Sequence, residues 1–226
     1  MMDNICISSG RKESGRWSSE AKIINCNTSC GYRQNITIGV SNNIIVEGGS
    51  HDLAGKNPDG TTCGTLPMSS IDVEAESEEN NFSSGNILIH NCSFKDNTRG
   101  VLLAHYSRYI KVTHNFFENC GVGCALGVGG ENNEVSYNKF INGAPSLGQR
   151  NLNVHHNEIV ITKNLGSDFL FDDVDVPETE GKSEFHHNII RAELDNLPLE
   201  GDFNYGSFRL GKGLIDFHNI MIENMA

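Results

Sequence analysis

Ile87-Leu-Ile89-His-Asn-Cys-Ser-Phe94 returns with variations along the chain. It recurs as Ile110-Lys-Val112-Thr-His-Asn-Phe-Phe117, Asn133-Glu-Val135-Ser-Tyr-Asn-Lys-Phe140 and Leu152-Asn-Val154-His-His-Asn-Glu-Ile159. Two more copies are Ser183-Glu-Phe185-His-His-Asn-Ile-Ile190 and Ile215-Asp-Phe217-His-Asn-Ile-Met-Ile222, and a weaker one is Ile44-Ile-Val46-Glu-Gly-Gly. Each copy sets an aliphatic pair two residues apart, then a polar residue, an Asn-containing corner and a large apolar residue. From Val46 through Ile89, Val112, Val135, Val154 and Phe185 to Phe217 the steps are 43, 23, 23, 19, 31 and 32 residues. Self-similarity at such a loose period marks a stack of repeated units.

Apolar and polar residues alternate for only three or four positions before each corner, a strand pattern too short for a helix. Asn tolerates a left-handed backbone better than other non-glycine residues, so the column Asn115, Asn138, Asn157 and Asn188 is expected to form the bend; Cys92 and Ile220 interrupt it. Stacking the units roughly 4.8 Å apart pairs like strands in parallel and buries the aliphatic pairs in a narrow core. The expected fold is all-β, a right-handed parallel β-helix of about seven turns. Residues 21–226 form it, 1–20 precede it as a segment of no assigned structure, and 49–70 leave it as a loop.

The copies from 87 to 222 resemble the repeat of the pectate-lyase-like superfamily. Ile71-Asp-Val-Glu74 followed by Asn86-Ile-Leu-Ile-His-Asn-Cys-Ser-Phe94 is similar to an opening common in that superfamily. The resemblance covers about residues 35–222. It implies the β-helix, and it implies work outside the cytoplasm or on a cell or virion surface. It leaves activity open, since this scaffold carries lyases, hydrolases, epimerases and tailspikes. The chain lacks the Gly-His-Gly and Arg-Ile-Lys of polygalacturonases and the Asp-Pro-His of mannuronan epimerases.

A net charge of -12, with no basic stripe in the sequence to release counterions, argues against a nucleic-acid backbone as partner. No apolar run reaches the length of a membrane span. No secretion signal follows Met1, and neither end shows an amphipathic cap, so a fragment or part of a longer β-helix is expected, monomeric or, for a tailspike, homotrimeric. Seven cysteines cannot all pair within the chain. Cys92, Cys120 and Cys124 are expected as small apolar fillers, and Cys26 with Cys30 either as filler or as a local disulfide.

The strand before each repeat carries the face on which function is expected. With its aliphatic residues inward, Thr37, Asp72, Leu102, Ala125, Leu170 and Arg209 form one outward column beside Gly39, Glu74, Ala104, Gly127 and Asp172. Its small, flat middle suits a sugar chain. Asp72 and Glu74 point the same way, roughly 6.5–7 Å apart at Cα, near the spacing of paired carboxylates in inverting glycosidases. A solvated acidic strand continuing into Glu76, Glu78 and Glu79 is the plain alternative, and calcium bound by Asp72, Glu74, Asp172 and Asp173 another. Asp168 and Asp175 complete the second acidic group. In His105-Tyr106-Ser-Arg108-Tyr109, His105 and Arg108 are candidate catalytic bases and Tyr106 a substrate contact, with Asp172 and Arg209 as further substrate-binding residues. His90, His155, His186 and His218 share an outward column and His114, His156 and His187 the next; a surface ladder explains them, and a transition-metal site is the alternative.

The function expected is binding and cleavage of an extracellular polysaccharide by a lyase or glycoside hydrolase. The competing class is a non-catalytic glycan-binding or shaft module.

Overall fold

The computed structural model describes residues 3–7, 18–74, 84–104, 106–126, 130–146, 149–163, 183–192, 215–219 and 221–224. Its strands in chain order are β1 Asp3–Ile7, β2 Ser18–Ser19, β3 Lys22–Ile24, β4 Thr28–Ser29, β5 Gln34–Ile38, β6 Ser41–Glu47, β7 His51–Asp52 and β8 Ser69–Glu74. They continue as β9 Gly85–His90, β10 Ser93–Lys95, β11 Arg99–Ala104, β12 Arg108–Thr113, β13 Phe116–Glu118, β14 Val122–Leu126 and β15 Glu134–Ser136. The last are β16 Lys139–Ile141, β17 Asn153–His155, β18 Glu158–Ile161, β19 Ser183–His186, β20 Ile189–Ala192, β21 Ile215–His218 and β22 Met221–Asn224. No helix occurs among the described residues.

The strands collect into three long sheets whose ladders are all parallel. Sheet I runs β1-β5-β8-β11-β14, sheet II β2-β6-β9-β12-β15-β17-β19-β21 with β3 also on β6, and sheet III β10-β13-β16-β18-β20-β22. From β8 to β16 the chain visits the sheets in the fixed order I, II, III. Beyond β14, the described residues extend sheet I by a bridge between Cys124 and Pro145. Each repeated phrase supplies one strand to sheet II and the next to sheet III, which is why its two apolar positions fall into separate columns.

Sheet II buries Ile44, Ile87 and Ile110 in one column and Val46, Ile89, Val112, Val135, Val154 and Phe185 in another. Sheet III stacks Phe94, Phe117 and Phe140, with ring centroids 4.7 Å apart and planes within 11°, and continues through Ile159 and Ile190. Facing these rings, sheet I carries Gly100 and Gly123: a Cβ at either would stand within 2.6 Å of the ring of Phe117 or Phe140. Phe117→Leu leaves a gap between two rings that cannot collapse, and we expect urea denaturation to register a loss of about 2 kcal/mol.

The corner after each sheet II strand corrects one expectation. The left-handed residues are His114, Tyr137, His156 and His187, each one position before the Asn, with φ between 53° and 56°. Because that residue takes the bend, the following Asn turns inward and is buried. There Asn115, Asn138, Asn157 and Asn188 form an amide ladder. Nδ2 of Asn115, Asn138 and Asn157 donates to the Oδ1 of the next Asn at 3.0–3.1 Å, and that Oδ1 also accepts the backbone N–H of the preceding Asn at 2.9 Å. Each of the four Nδ2 groups also reaches a core carbonyl, of Ile89, Val112, Val135 and Val154 in turn. Buried backbone groups must be paired, and the ladder does this at a corner where the strand ladders stop. Cys92 ends it: its N–H donates to Asn115 Oδ1, and its thiol, pushed up to about 12 chiefly by burial, lies 3.2 Å from the carbonyl of His90.

All seven cysteines are free thiols, Cys92, Cys120 and Cys124 buried in the core. His51 is also buried. Its Nδ1 lies 2.8 Å from Thr28 Oγ1, its ring packs against Phe94, and its Nε2 has no hydrogen-bond partner. Burial lowers its pKa to about 4, partly opposed by the Gly48 backbone.

Candidate functional site

Sheet I brings the acidic strand between its neighbours in register. Cys6, Thr37, Asp72, Leu102 and Ala125 stand in one column, with Glu74 level with Ala104. The column read from alternation therefore exists from Thr37 to Ala125; Leu170, Asp172 and Arg209 lie outside the described residues. Its floor is not open. Asp72 has no exposed surface, Ala125 is buried, and Thr37 and Leu102 are half-buried.

Asp72 is enclosed by side chains from the two adjoining strands. Gln34, level with Ser69 in the register, donates from Nε2 to Asp72 Oδ2. Its other end is fixed: Arg33 donates to Gln34 Oε1 from Nε at 3.2 Å and Nη2 at 3.1 Å, and Thr37 Oγ1 lies 2.6 Å from the same oxygen. These donors orient the amide so that its N–H faces the carboxylate. Asp72 Oδ1 is buried with no hydrogen-bond partner. Burial pushes the Asp72 pKa up to about 7, helped by the negative charge of Glu74 and opposed by Arg33 and Arg99. Two carboxyl groups on one strand thus occupy different environments, the arrangement by which paired acids divide proton donor from base.

The excursion after β7 walls this face. Gly55 N–H donates to the carbonyl of Gly31, and Cys63 and Gly64 fold back onto the carbonyl of Gly55. Arg99, at the start of β11, donates to the carbonyl of Pro67 and so joins wall to floor. Burial lowers its pKa, and the nearby Asp72 opposes the shift. Beyond Arg99 opens a groove of about 420 Å³ lined by Lys56, Asn97, Thr98, Arg99, Asn119, Gly121 and Val122. Lys163 Nζ donates to Asn119 Oδ1 at its rim. Lys56, Arg99 and Lys163 thus bring three cations to this groove on a chain of net charge -12.

Of the other expected residues, Tyr106 is a half-buried left-handed corner and Arg108 opens β12 in the neighbouring sheet. The Arg108 Nε lies 3.1 Å from Glu131 Oε1, so its charge is paired within sheet II. His105, Asp168, Asp173, Asp175, Glu76, Glu78 and Glu79 fall outside the described residues. Calcium fits the Asp72–Glu74 pair poorly. It asks for six to eight oxygen ligands, whereas Asp72 gives one oxygen to an amide and is flanked by guanidinium groups. Among the described residues no three His, Cys, Asp or Glu side chains form a group able to hold a metal ion.

Arg33, Gln34, Lys56 and Arg99 were missed from sequence. Aligning Gln34-Asn-Ile36 with Ser69-Ser-Ile71 and Arg99-Gly-Val101 would have placed Gln34 and Arg99 on either side of the acidic strand. Comparison with protein-family models, curated proteins and solved structures finds no match.

Proposed function

We propose that the chain is a right-handed parallel β-helix that binds and cleaves an acidic extracellular polysaccharide, with Asp72 as the general acid. The observation that carries this reading is Asp72 itself, a buried carboxyl whose pKa is pushed up to about 7, with Oδ1 unpartnered and an acid two residues along. At neutral pH a large fraction of Asp72 holds a proton, and Oδ1 delivers it to the departing glycosidic oxygen. Glu74 takes a proton from water as that water attacks the sugar carbon, so one bond breaks, one forms and the proton count closes. Arg99 and Lys56 in the adjoining groove hold the carboxylate of the sugar. Since Asp72 is shut from solvent, the substrate displaces a covering side chain to reach it.

The same closure favours a second reading, a non-catalytic glycan-binding or shaft module in which Asp72 is a buried structural acid. Incubating the protein with a panel of acidic and neutral polysaccharides separates the two. New reducing ends without the ultraviolet absorbance of an unsaturated uronate support hydrolysis by Asp72 and Glu74. Both signals rising together indicate elimination. Silence from a folded sample selects the shaft.

A further inference from the structure

At the sheet II corners the chain carries paired imidazoles that the proposed cleavage does not use. In a regular strand consecutive side chains point to opposite faces, so neighbouring histidines cannot meet. Here the second member is left-handed, His156 at φ 54° and His187 at φ 53°, which undoes the alternation. The rings of His155 and His156 meet edge to face at 87° with their Nδ1 atoms 2.8 Å apart. One cycle further on, His186 and His187 repeat this at 85° and 2.7 Å. Like rings stack between the pairs with centroids 5.1 Å apart.

Two Nδ1 atoms so close share one proton, and a metal ion can take its place if the pair opens to about 3.0 Å, the separation of two neighbouring nitrogens bound at right angles at about 2.1 Å. On the first ring of each pair the far nitrogen favours this, whereas His187 Nε2 lies 3.3 Å from Asn219 Nδ2. His155 Nε2 lies 3.4 Å from Glu134 Oε1, and His186 Nε2 lies 3.0 Å from Asn153 Oδ1 and 3.9 Å from Glu184 Oε2. Acceptors there keep the ring proton on Nε2 and turn the Nδ1 lone pair outward, the outer arrangement usual for metal-binding histidine.

We propose that His155–His156 and His186–His187 are two bidentate sites for a nitrogen-preferring divalent transition metal such as Ni²⁺. A ring spacing of 5.1 Å is too long for one ion to reach all four nitrogens, so each pair takes its own ion. Solvent completes each coordination shell. Glu134 and Glu184 offset the added charge, and repulsion between the ions weakens the second binding step.

Calorimetric titration of the full chain with Ni²⁺ tests this. Asn already occupies the same left-handed corner at positions 91 and 219, so His156→Asn and His187→Asn keep the backbone. Two equivalents are expected for the wild type, one for either single variant, and at least a tenfold loss of affinity at both sites in the double variant, with circular dichroism unchanged. No uptake by the wild type, a single equivalent abolished by either substitution, or full uptake by the double variant would overturn the proposal.

Discussion

Asp72→Asn is expected to lower polysaccharide cleavage by about 10²–10⁴-fold while making the folded protein more stable at pH 8. The two effects share a cause. Asn cannot donate the proton, but it is neutral in the enclosure that disfavours a carboxylate. The folded pKa is raised to about 7 from 3.8, so the contribution of Asp72 to stability is full below about pH 4 and is lost as pH rises through 7. Three pKa steps correspond to about 4 kcal/mol, which the Asn variant regains at pH 8 and not at pH 4. Cleavage by the wild type should also fall above about pH 7 as the acid ionises. Denaturation at the two pH values checks the stability claim; equal differences between variant and wild type would mean that Asp72 is not held protonated.

His51 gives that profile a second edge. Its folded pKa is lowered from 6.5 to about 4, so its contribution is present above pH 6.5 and lost as pH falls through 4, about 3 kcal/mol in all. Between about pH 4 and 6.5 the contributions of Asp72 and His51 therefore slope in opposite directions and nearly cancel. In Asp72→Asn only the His51 slope remains, so the variant's stability rises with pH across that window while that of the wild type stays nearly level, and the variant's advantage grows from pH 4 upward.

Asn138→Asp is expected to cost about 3–5 kcal/mol, enough to unfold a domain of ordinary stability. Nδ2 of Asn138 donates to Val112 O at 2.8 Å and to Asn157 Oδ1 at 3.0 Å. Replacing that N–H₂ by oxygen sets an acceptor against two acceptors inside the core, and a negative charge there has no partner. Asn138→Ala should cost less, about 2 kcal/mol, because it removes a donor without installing a repulsive group, although the Asn115 N–H loses its acceptor. Urea denaturation of both variants checks the order. An Asp variant as stable as wild type would mean that the amides do not form a ladder.

How far the fold was legible follows from the period of its parts. The β8, β9, β11 and β12 strands could be read because alternating Ile71/Val73, Ile87/Ile89, Val101/Leu103 and Ile110/Val112 leave one inward face. The register of Thr37, Asp72, Leu102 and Ala125 followed from it. The Asn column was found in the right residues and given the wrong role. Left-handed tolerance is a local property, whereas the use of Asn138 as donor and acceptor between cycles depends on the burial of both its neighbours. The enclosure of Asp72 was invisible for a related reason. Gln34 and Arg99 lie 38 residues before it and 27 after it, and only the paired strands bring them together.

Cys92, Asn115 and Asn138, like Phe94, Phe117 and Phe140, are separated by 23 residues at each step. Along these columns the amide-to-amide bonds and the ring stacks join equivalent neighbours, so a chain lacking residues 110–132 would set Asn138 against Cys92 and Phe140 against Phe94. For a gene this makes the natural increment of change a block of 69 nucleotides, gained or lost without disturbing the frame of the core. Asp72, its enclosing residues Arg33 and Gln34, and the cation Arg99 all lie upstream of that block. Length and the Asp72 enclosure in this molecule are therefore separately heritable.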